Sequence, residues 1–257
     1  MQGSGLGPAL FTVMLSDLKL LSIINILCKF ADDTNVLTPE HSDVSLEQEF
    51  QHICHWTEIN KMVLNKCKTK EIVFRKPSPR HVILPQSLPA IEQVEIANIL
   101  GVKFTNRLKF DDHVKSLLAQ GNQRLYLIKQ LKNQGLPLDK LNDIFTALII
   151  SKLLYGLPAW GGFLSMENIN SINAFLKRAF KCKYCDKLFT INNLLFNADE
   201  RLFKKVQQHD HCLFRLLPGR VNLNYNIRTR GHELQLPSLS TALHKNSFIN
   251  RCLFEFK

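Results

Sequence analysis

The spacing of hydrophobic residues in the first hundred positions predicts an alternation of short helices and strands. Residues 8–20 and 43–60 carry apolar side chains at the spacing of amphipathic helices. Residues 23–38 differ, because two apolar and partly β-branched runs flank the polar centre Ala31-Asp32-Asp33-Thr34. That pattern predicts a β-hairpin whose turn carries two carboxylates. Further strands are predicted at 70–75 and, as a pair around Gly101, within 91–105.

Beyond residue 110 the hydrophobic pattern becomes mainly helical. Glycines and prolines separate the helical stretches, as expected of residues that end helices. The change falls near residue 108, so the sequence predicts an α+β protein in two parts, 1–108 and 109–257. Helices of the second part are predicted at 111–134, 138–154, 165–184 and 199–216.

Charge divides the chain in nearly the same place. Residues 1–100 hold 9 Lys and Arg against 11 Asp and Glu, a net of −2. Residues 101–257 hold 24 against 11, a net of +13. A basic second part predicts a surface that faces a polyanion such as nucleic acid. A solvated basic surface without a specific partner is the alternative.

The seven cysteines and the short apolar runs favour an intracellular protein with reduced thiols, nuclear or cytoplasmic. The start is neither basic nor followed by a clean apolar run, so no signal peptide is predicted. No membrane partner is expected, because charged residues interrupt the longest apolar stretch near the front. These residues are Asp17, Lys19 and Lys29.

A C-x2-C pair, Cys182 and Cys185, raises the question of zinc. A zinc site needs four ligands at suitable spacing, and the next candidate, His209, follows at a longer distance than in common zinc fingers. Packing cysteines near a helix end are the preferred interpretation, so zinc is not expected.

The adjacent carboxylates Asp32 and Asp33 are the clearest candidate for chemistry. Like charges in the middle of an apolar hairpin repel each other and must stay solvated or bind a cation. Hard cations such as Mg²⁺ prefer carboxylate oxygens. An ordinary exposed acidic turn is the alternative, and the dipeptide by itself favours that alternative.

Two motifs around this hairpin favour the cation site over the ordinary exposed turn. Residues 2–11 (QGSGLGPALF) and 30–34 (FADDT) are similar, in order and spacing, to a paired signature of reverse transcriptases from non-LTR, LINE-like retrotransposons. Trp56 with residues 64–74 (LNKCKTKEIVF) resembles a further segment of that family. Residues 99–102 (ILGV), followed by Leu108 and His113, resemble its primer-holding segment, and 225–230 (YNIRTR) with Ser247 and Phe248 resembles its tail.

The resemblance implies a fold and an activity. Residues 1–108 would be the C-terminal part of a polymerase palm with its primer-grip hairpin, and 109–257 a helical, basic thumb and tail. The activity would be RNA-directed DNA polymerisation on an RNA or DNA primer–template with dNTPs. The implied chemistry is two-metal nucleotidyl transfer with Mg²⁺ or Mn²⁺.

The resemblance also implies roles for individual residues. Asp32 would be the direct metal ligand and Asp33 would support or share the site. The apolar ring of Phe30 would pack against the primer end. Lys68 would offer charge or a proton to the leaving pyrophosphate, and a plain surface lysine is an equal alternative.

Further implied roles belong to the substrate-binding segments. Gln2, Gly3 and Ser4 would line the incoming nucleotide and template, where glycine lets the backbone approach closely. Leu100 and Gly101 would form the primer grip. Basic thumb residues expected against a duplex backbone are Lys129, Lys132, Lys177, Arg178, Lys181 and Lys183.

Polymerases of this family use a further aspartate on a strand before the Q-G-S segment, and their fingers also precede it. Here that segment begins at residue 2, so we expect this N-terminal polymerase part to be missing and the chain to be inactive by itself. Two alternatives stay open. One is a non-catalytic nucleic-acid-binding remnant, and the other is a decayed element without function.

Overall fold

The computed structural model describes residues 5–75, 84–220 and 231–257. Gln2, Gly3 and Ser4, and the tail segment 225–230, lie outside these residues. The described chain forms two compact units: the first contains 5–73 and 84–95, and the second contains 74–75, 96–220 and 231–257. Helices and small sheets occur together, so the α+β class is confirmed. The assignment of palm and thumb stays a prediction.

The first unit begins with a helix that packs little of its surface. Helix α1 has a proline in its first turn, where the missing N–H costs nothing, and it buries none of its residues. Helix α2 starts at a capping box in which Ser45 and Gln48 satisfy each other's backbone N–H groups. The elements are α1 (Gly7–Met14), a 3-10 turn (Leu15–Asp17), β1 (Ile26–Phe30), β2 (Asp33–Leu37), α2 (Leu46–Ile59), β3 (Lys70–Glu71) and β4 (Glu92–Gln93).

The strands of the first unit form two separate pairs. Strands β1 and β2 are antiparallel, with Ile26 opposite Leu37 and Phe30 opposite Asp33. Strands β3 and β4 pair in parallel over two residues each. The strand predicted over 70–75 is therefore only partly right. Its pairing ends after Glu71, whose carboxylate accepts the N–H of Leu88 at 3.0 Å.

The second unit combines one hairpin with a bundle of helices. Helix α3 is the next element after strand β6 in the chain and contacts it. Helix α3 also packs on α4 and α7. The elements are β5 (Ile96–Ile99), β6 (Val102–Thr105), α3 (Asp111–Asn133), α4 (Leu138–Phe145), a π turn (Thr146–Ile150), α5 (Ser151–Leu154), α6 (Leu157–Trp160), a 3-10 turn (Gly161–Phe163), α7 (Met166–Lys181), α8 (Ile191–Val206), a 3-10 turn (Phe214–Leu216), α9 (Ala242–Asn246) and α10 (Phe248–Glu255).

Three of the four helical predictions for this part hold in position. The stretch 138–154 is helical throughout, with the π turn in its middle. The prediction of a helix over 199–216 is wrong at both ends. Helix α8 begins at Ile191, because Thr190 caps it by accepting the N–H of Asn193, and it ends at Val206.

The core of the second unit is aromatic and aliphatic. Trp160, Phe145 and Leu141 have no exposed surface, and they join α3 to α4, α6 and α7. Gly121 permits the close approach of α3 and α7, because a Cβ there would lie 2.8 Å from the ring of Phe175. Burial of this apolar area is the main source of the unit's stability.

A buried ion pair fastens the C-terminal helix to this bundle. Arg251 of α10 donates from Nε and Nη2 to the two carboxylate oxygens of Asp199 in α8, at 2.8 and 2.9 Å. Its Nη2 also donates to the carbonyl of Pro158 at 3.0 Å. Gly162 leaves room for the guanidinium, since a Cβ there would collide with it.

In the described segments, no single helix has the length and apolar composition to cross a bilayer. The bent pair Leu138–Leu154 and Leu157–Phe163 meets those two criteria only when taken together. All seven cysteines are free thiols.

Candidate functional site

The first hairpin places its two carboxylates at its tip. Strand β1 ends at Phe30 and strand β2 begins at Asp33, so the loop consists of Ala31 and Asp32 alone. Ala31 has φ +51°, the left-handed conformation that two-residue hairpin loops require. Asp32 therefore lies in the loop and Asp33 in the first position of β2, next to each other and next to Phe30.

Both carboxylates are exposed and unpaired. No hydrogen bond or ion pair engages the carboxylate of Asp32 or of Asp33 anywhere in the described chain. Every Asp and Glu of the sequence falls in the described ranges, and no three His, Cys, Asp or Glu side chains in those ranges group as metal ligands would. The hairpin thus offers two free hard oxygen donors, which fit Mg²⁺ or Mn²⁺, and leaves the remaining coordination positions to other groups.

The ring of Phe30 shares this tip. It lies opposite Asp33 across the hairpin and is 65% exposed. Exposure of a large apolar ring to water is unfavourable, so contact with an apolar surface that covers the Phe30 ring would be favoured. The hairpin tip therefore combines two carboxylates that can bind a cation with one apolar ring that can contact a ligand.

A lysine anchors β1 to the end of the first helix. Lys29 extends its ammonium to the carbonyl oxygens of Leu15 and Leu18, at 2.5 and 3.1 Å. Leu15 is the first residue of the 3-10 turn after α1, and Leu18 directly follows that turn. The hairpin that carries Asp32 is in this way tied to the segment that carries α1.

A buried carboxylate organises the loop that leads into the hairpin. Glu49 of α2 has no exposed surface and accepts hydrogen bonds from the N–H groups of Leu21 and Ser22 and from the amide of Asn25, at 2.8 to 2.9 Å. Burial favours the neutral acid, but these three donors outweigh it and hold the pKa of Glu49 below its ordinary value. Glu49 thus stays charged and fixes the approach to β1.

Lys68 lies in the first unit, in a turn between α2 and β3. Its backbone N–H donates to the side chain of Asn65 at 3.2 Å, which closes the turn. The Lys68 ammonium is exposed, and no acceptor in the described residues engages it. It is therefore free to bind an anionic group.

The second hairpin holds Leu100 and Gly101 in a turn that the rest of the second unit braces. Both residues have positive φ, +49° and +82°, which matches a two-residue hairpin loop. The hydroxyl of Tyr155, at the end of α5, donates to the carbonyl of Leu100 at 2.8 Å. Gly156 follows with φ +61°, and a Cβ there would contact Val102 at 3.4 Å. The hairpin tip is thus fixed by residues 55 positions away in sequence.

His113 lies beneath the same hairpin. Its ring is 4% exposed, its Nδ1 accepts the N–H of Lys103 at 3.4 Å, and it meets the ring of Trp160 edge to face at 5.0 Å. Burial, followed by the positive charges of Lys152 and Lys103, lowers the pKa of His113 to about 4. The ring is therefore neutral at pH 7 and joins β6 to α3.

Comparison with known proteins supplies a context for both hairpins. The chain is 24% identical over 248 residues, 85% of its length, to a probable RNA-directed DNA polymerase from transposon BS of Drosophila melanogaster. It is 23% identical over 262 residues, 89% of its length, to the RNA-directed DNA polymerase from mobile element jockey of the same species. This chain resembles polymerases of non-LTR retrotransposons. No family model matches the chain, and no solved structure matches it significantly.

The resemblance to these polymerases covers most of the chain but only part of theirs. The chain spans 27% of the first relative and 28% of the second. In the first unit, the structure brings Phe30, Asp32 and Asp33 together at one hairpin tip and places Lys68 in a separate turn. Leu100 and Gly101 lie together in the second unit, while Gln2, Gly3 and Ser4 lie outside the described residues.

Among the predicted thumb residues and the C-x2-C cysteines, some are used within the protein and others are exposed. Lys132 is used internally, since its ammonium donates to the carbonyl of Cys182 at 2.6 Å. Cys182 ends α7 and is exposed, whereas Cys185 is buried and its pKa is raised by burial to about 11. The two cysteines thus differ, and only Cys185 packs. Exposed basic residues of the thumb prediction are Lys129, Lys177, Arg178, Lys181 and Lys183.

Sequence reasoning missed Glu49, Tyr155 and Arg251. A signal existed for Glu49, because it precedes Ile53 and Thr57 at four-residue steps on the buried face of α2. Tyr155 and Arg251 act through contacts between distant segments, which hydrophobic periodicity does not report.

Proposed function

We propose that the chain supplies the metal-binding palm hairpin and the thumb of an RNA-directed DNA polymerase from a non-LTR mobile element. The observation that carries this proposal is the pair of exposed, unpartnered carboxylates, Asp32 and Asp33, at the tip of a two-residue hairpin. Two exposed carboxylates with no internal partner are available as oxygen ligands for an external divalent cation. The similarity to two mobile-element polymerases supports the same function.

Divalent cations held at such a site would activate a 3′-hydroxyl and stabilise a leaving pyrophosphate. Within the chain, Asp32 would bind the cation directly and Asp33 would share it. The exposed ring of Phe30 would pack against the last sugar and base of a primer. The free ammonium of Lys68 would neutralise charge that develops on pyrophosphate. Leu100 and Gly101, braced by Tyr155, would support the primer strand.

The chain by itself is not expected to polymerise. No third carboxylate joins Asp32 and Asp33 in the described residues, and a two-metal site that lacks one ligand loses several kcal/mol of transition-state stabilisation. A further polypeptide of the polymerase type would supply it. Helix α1 supports this, because its apolar residues Leu10 and Val13 are 64% and 68% exposed and so present an uncovered surface.

The proposal is tested by Mn²⁺ binding, followed by electron paramagnetic resonance of the free ion. Wild type is compared with Asp32→Asn and, as a matched control in the same unit, Asp17→Asn, whose carboxylate is also exposed. We expect Asp32→Asn to abolish the tightest binding and Asp17→Asn to leave it unchanged. Equal Mn²⁺ binding by all three proteins would contradict the proposal.

Primer extension on a poly-A template tests activity separately. With Mg²⁺ or Mn²⁺, the chain is expected to give no synthesis while circular dichroism shows that it is folded. Synthesis that depends on Asp32 would refute the proposed inactivity and would require a third ligand from elsewhere in the chain.

A non-catalytic nucleic-acid-binding protein is the second candidate function. The net charge of +13 in residues 101–257 favours it, as do exposed cations on and after α7, among them Lys177, Lys181 and Lys183. Salt-dependent duplex binding without cation-dependent synthesis would support this candidate. A decayed element without function would give neither.

A further inference from the structure

The two ends of the first hairpin are joined to each other by side chains. Asn25 directly precedes β1, and Ser42 lies five residues after the end of β2. The hydroxyl of Ser42 donates to Oδ1 of Asn25 at 2.7 Å, and the backbone N–H of Ser42 donates to the carbonyl of Pro39 at 3.1 Å. This contact between Asn25 and Ser42, the base clasp, closes the end of the hairpin that lies away from Asp32.

The base clasp is attached to helix α2. The amide nitrogen of Asn25 donates to Oε1 of Glu49 at 2.8 Å and to the carbonyl of Val44 at 3.2 Å. Because a carboxylate only accepts hydrogen bonds, the amide nitrogen has to face Glu49 and the amide oxygen has to face Ser42. Asn25 is 7% exposed, so this orientation is held in a buried place.

A second contact joins the same two segments. The hydroxyl of Ser22, which is 4% exposed, donates to the carboxylate of Asp43 and accepts the N–H of Ile24 at 3.0 Å. Ser22 lies in the loop before β1, and Asp43 lies in the turn that leads into α2. Buried polar groups that satisfy one another make a rigid connection, because a change of geometry would leave one of them unpaired.

The length of the hairpin makes its tip sensitive to its base. At ~3.3 Å per residue, β1 carries Phe30 about 16 Å from Asn25, so a rotation of about 10° at the base would move the tip by about 3 Å. The ammonium of Lys29 holds one side of the hairpin to the carbonyls of Leu15 and Leu18. Without the base clasp, that contact would be a point about which the hairpin could turn.

We propose that Asn25 and Ser42 are positioning residues for Asp32 and Asp33, because the base clasp fixes the direction of the hairpin relative to α2. They act through the hairpin and not by contact with a cation. A reacting group misplaced by about 1 Å can cost roughly 10²-fold in rate, so carboxylates that meet substrate from another polypeptide need a fixed direction. The importance of this direction for catalysis rests on the proposed function.

The test uses nuclear magnetic resonance of the full chain in EDTA. Residual dipolar couplings of backbone N–H groups report how the hairpin is oriented relative to α2. In the wild type, the couplings of both elements are expected to fit one alignment tensor. Ser42→Ala removes one hydroxyl, and we expect the hairpin couplings to become smaller and to depart from the tensor of α2. Wild-type couplings in Ser42→Ala would overturn the proposal.

Matched variants separate positioning from a general loss of stability. Ser42→Thr keeps the hydroxyl and is expected to retain the wild-type couplings. Thr69→Val also removes one hydroxyl hydrogen bond in the same unit, to the carbonyl of Asn65 at 2.9 Å, and is expected to leave the hairpin couplings unchanged. Equal losses in Ser42→Ala and Thr69→Val would overturn the proposal, because loosening of the whole unit would then explain them.

Asn25→Ala removes three hydrogen bonds and is expected to reduce the hairpin couplings further than Ser42→Ala does. Circular dichroism checks that each variant is folded, and Ser42→Ala keeps the test decisive even if Asn25→Ala does not fold. Smaller losses in a folded Asn25→Ala than in Ser42→Ala would contradict the assignment of Asn25.

Bound Mn²⁺ gives a second measurement of the same direction. Both carboxylates belong to the tip, so Ser42→Ala is expected to leave the affinity for Mn²⁺ unchanged. The paramagnetic broadening of amide signals in α2 depends on their distance from the ion and is expected to change. Unchanged broadening would count against the proposal. Absence of Mn²⁺ binding in the wild type would contradict the proposed function and leave the couplings in EDTA as they are, so the two proposals fail separately.

Discussion

The buried His113 makes the stability of the second unit depend on pH. Its Nδ1 accepts the Lys103 N–H, so the neutral ring carries its proton on Nε2. Nε2 is buried without a partner in the described residues. A second proton on this ring would bring a charge into the aromatic environment of Trp160, near the charges of Lys152 and Lys103. Protonation is therefore easier in the unfolded chain.

The magnitude follows from the pKa difference. The pKa of His113 falls from an ordinary 6.5 to about 4 in the folded protein. The unfolded state then binds the proton first, so this contribution to stability is fully present above pH 6.5 and is lost as the pH falls toward 4. The free energy of unfolding should decrease by about 1.4 kcal/mol per pH unit, and by at most ~3.4 kcal/mol across the window.

Urea unfolding at a series of pH values measures this dependence. The chain has two tryptophans, so Trp56→Phe leaves Trp160, in contact with His113, as the fluorescent probe of the second unit. In this background, His113→Phe keeps a ring against Trp160 but cannot titrate. We expect its stability to fall less steeply than that of the histidine protein between pH 6.5 and 4. Parallel curves for the two proteins would refute the reasoning.

Three substitutions test the other internal ties by urea unfolding. Arg251→Ala leaves the carboxylate of Asp199 buried and unpaired and should destabilise the second unit by about 3–5 kcal/mol, whereas a loss below ~1 kcal/mol would show that water replaces the guanidinium. Tyr155→Phe removes only the hydrogen bond to Leu100 and should lower the free energy of unfolding by about 1 kcal/mol. An unchanged free energy of unfolding would show that this hydrogen bond does not stabilise the turn. Glu49→Gln, followed by Trp56 fluorescence, should cost about 1–3 kcal/mol, and unaltered stability would exclude its role in ordering the loop before β1.

Local patterns predicted those parts of the fold that local interactions determine. The first hairpin was predicted from apolar runs around a polar centre, and the second from strands around Gly101, because a two-residue turn fixes the pairing of its neighbours. Helix α3 was predicted almost to the residue, since its apolar periodicity is long. For the candidate site, the adjacency of Asp32, Asp33 and Phe30 followed directly from that hairpin.

Other features depend on contacts that a linear pattern does not contain. Helix α8 was misplaced because its start is set by a cap at Thr190, while the following apolar residues continue past its end. Glu49 was overlooked, since a charged residue on a helix is normally exposed. Its burial becomes favourable only when the backbone N–H groups of Leu21 and Ser22 are brought to it. Such donors are visible only in the folded chain.

The two hairpins are anchored differently, and this difference agrees with their proposed roles. In the first, Glu49 binds backbone N–H groups before β1 and Lys29 of β1 binds carbonyl oxygens, while the carboxylates of Asp32 and Asp33 at the tip are left free. A tip that binds cation and substrate must keep its donors unpaired. The second is held at its tip by Tyr155, so its free groups, including Lys103, lie on its face. Fixing the turn at Leu100 gives this hairpin a rigid tip, which suits its proposed role of supporting the primer strand.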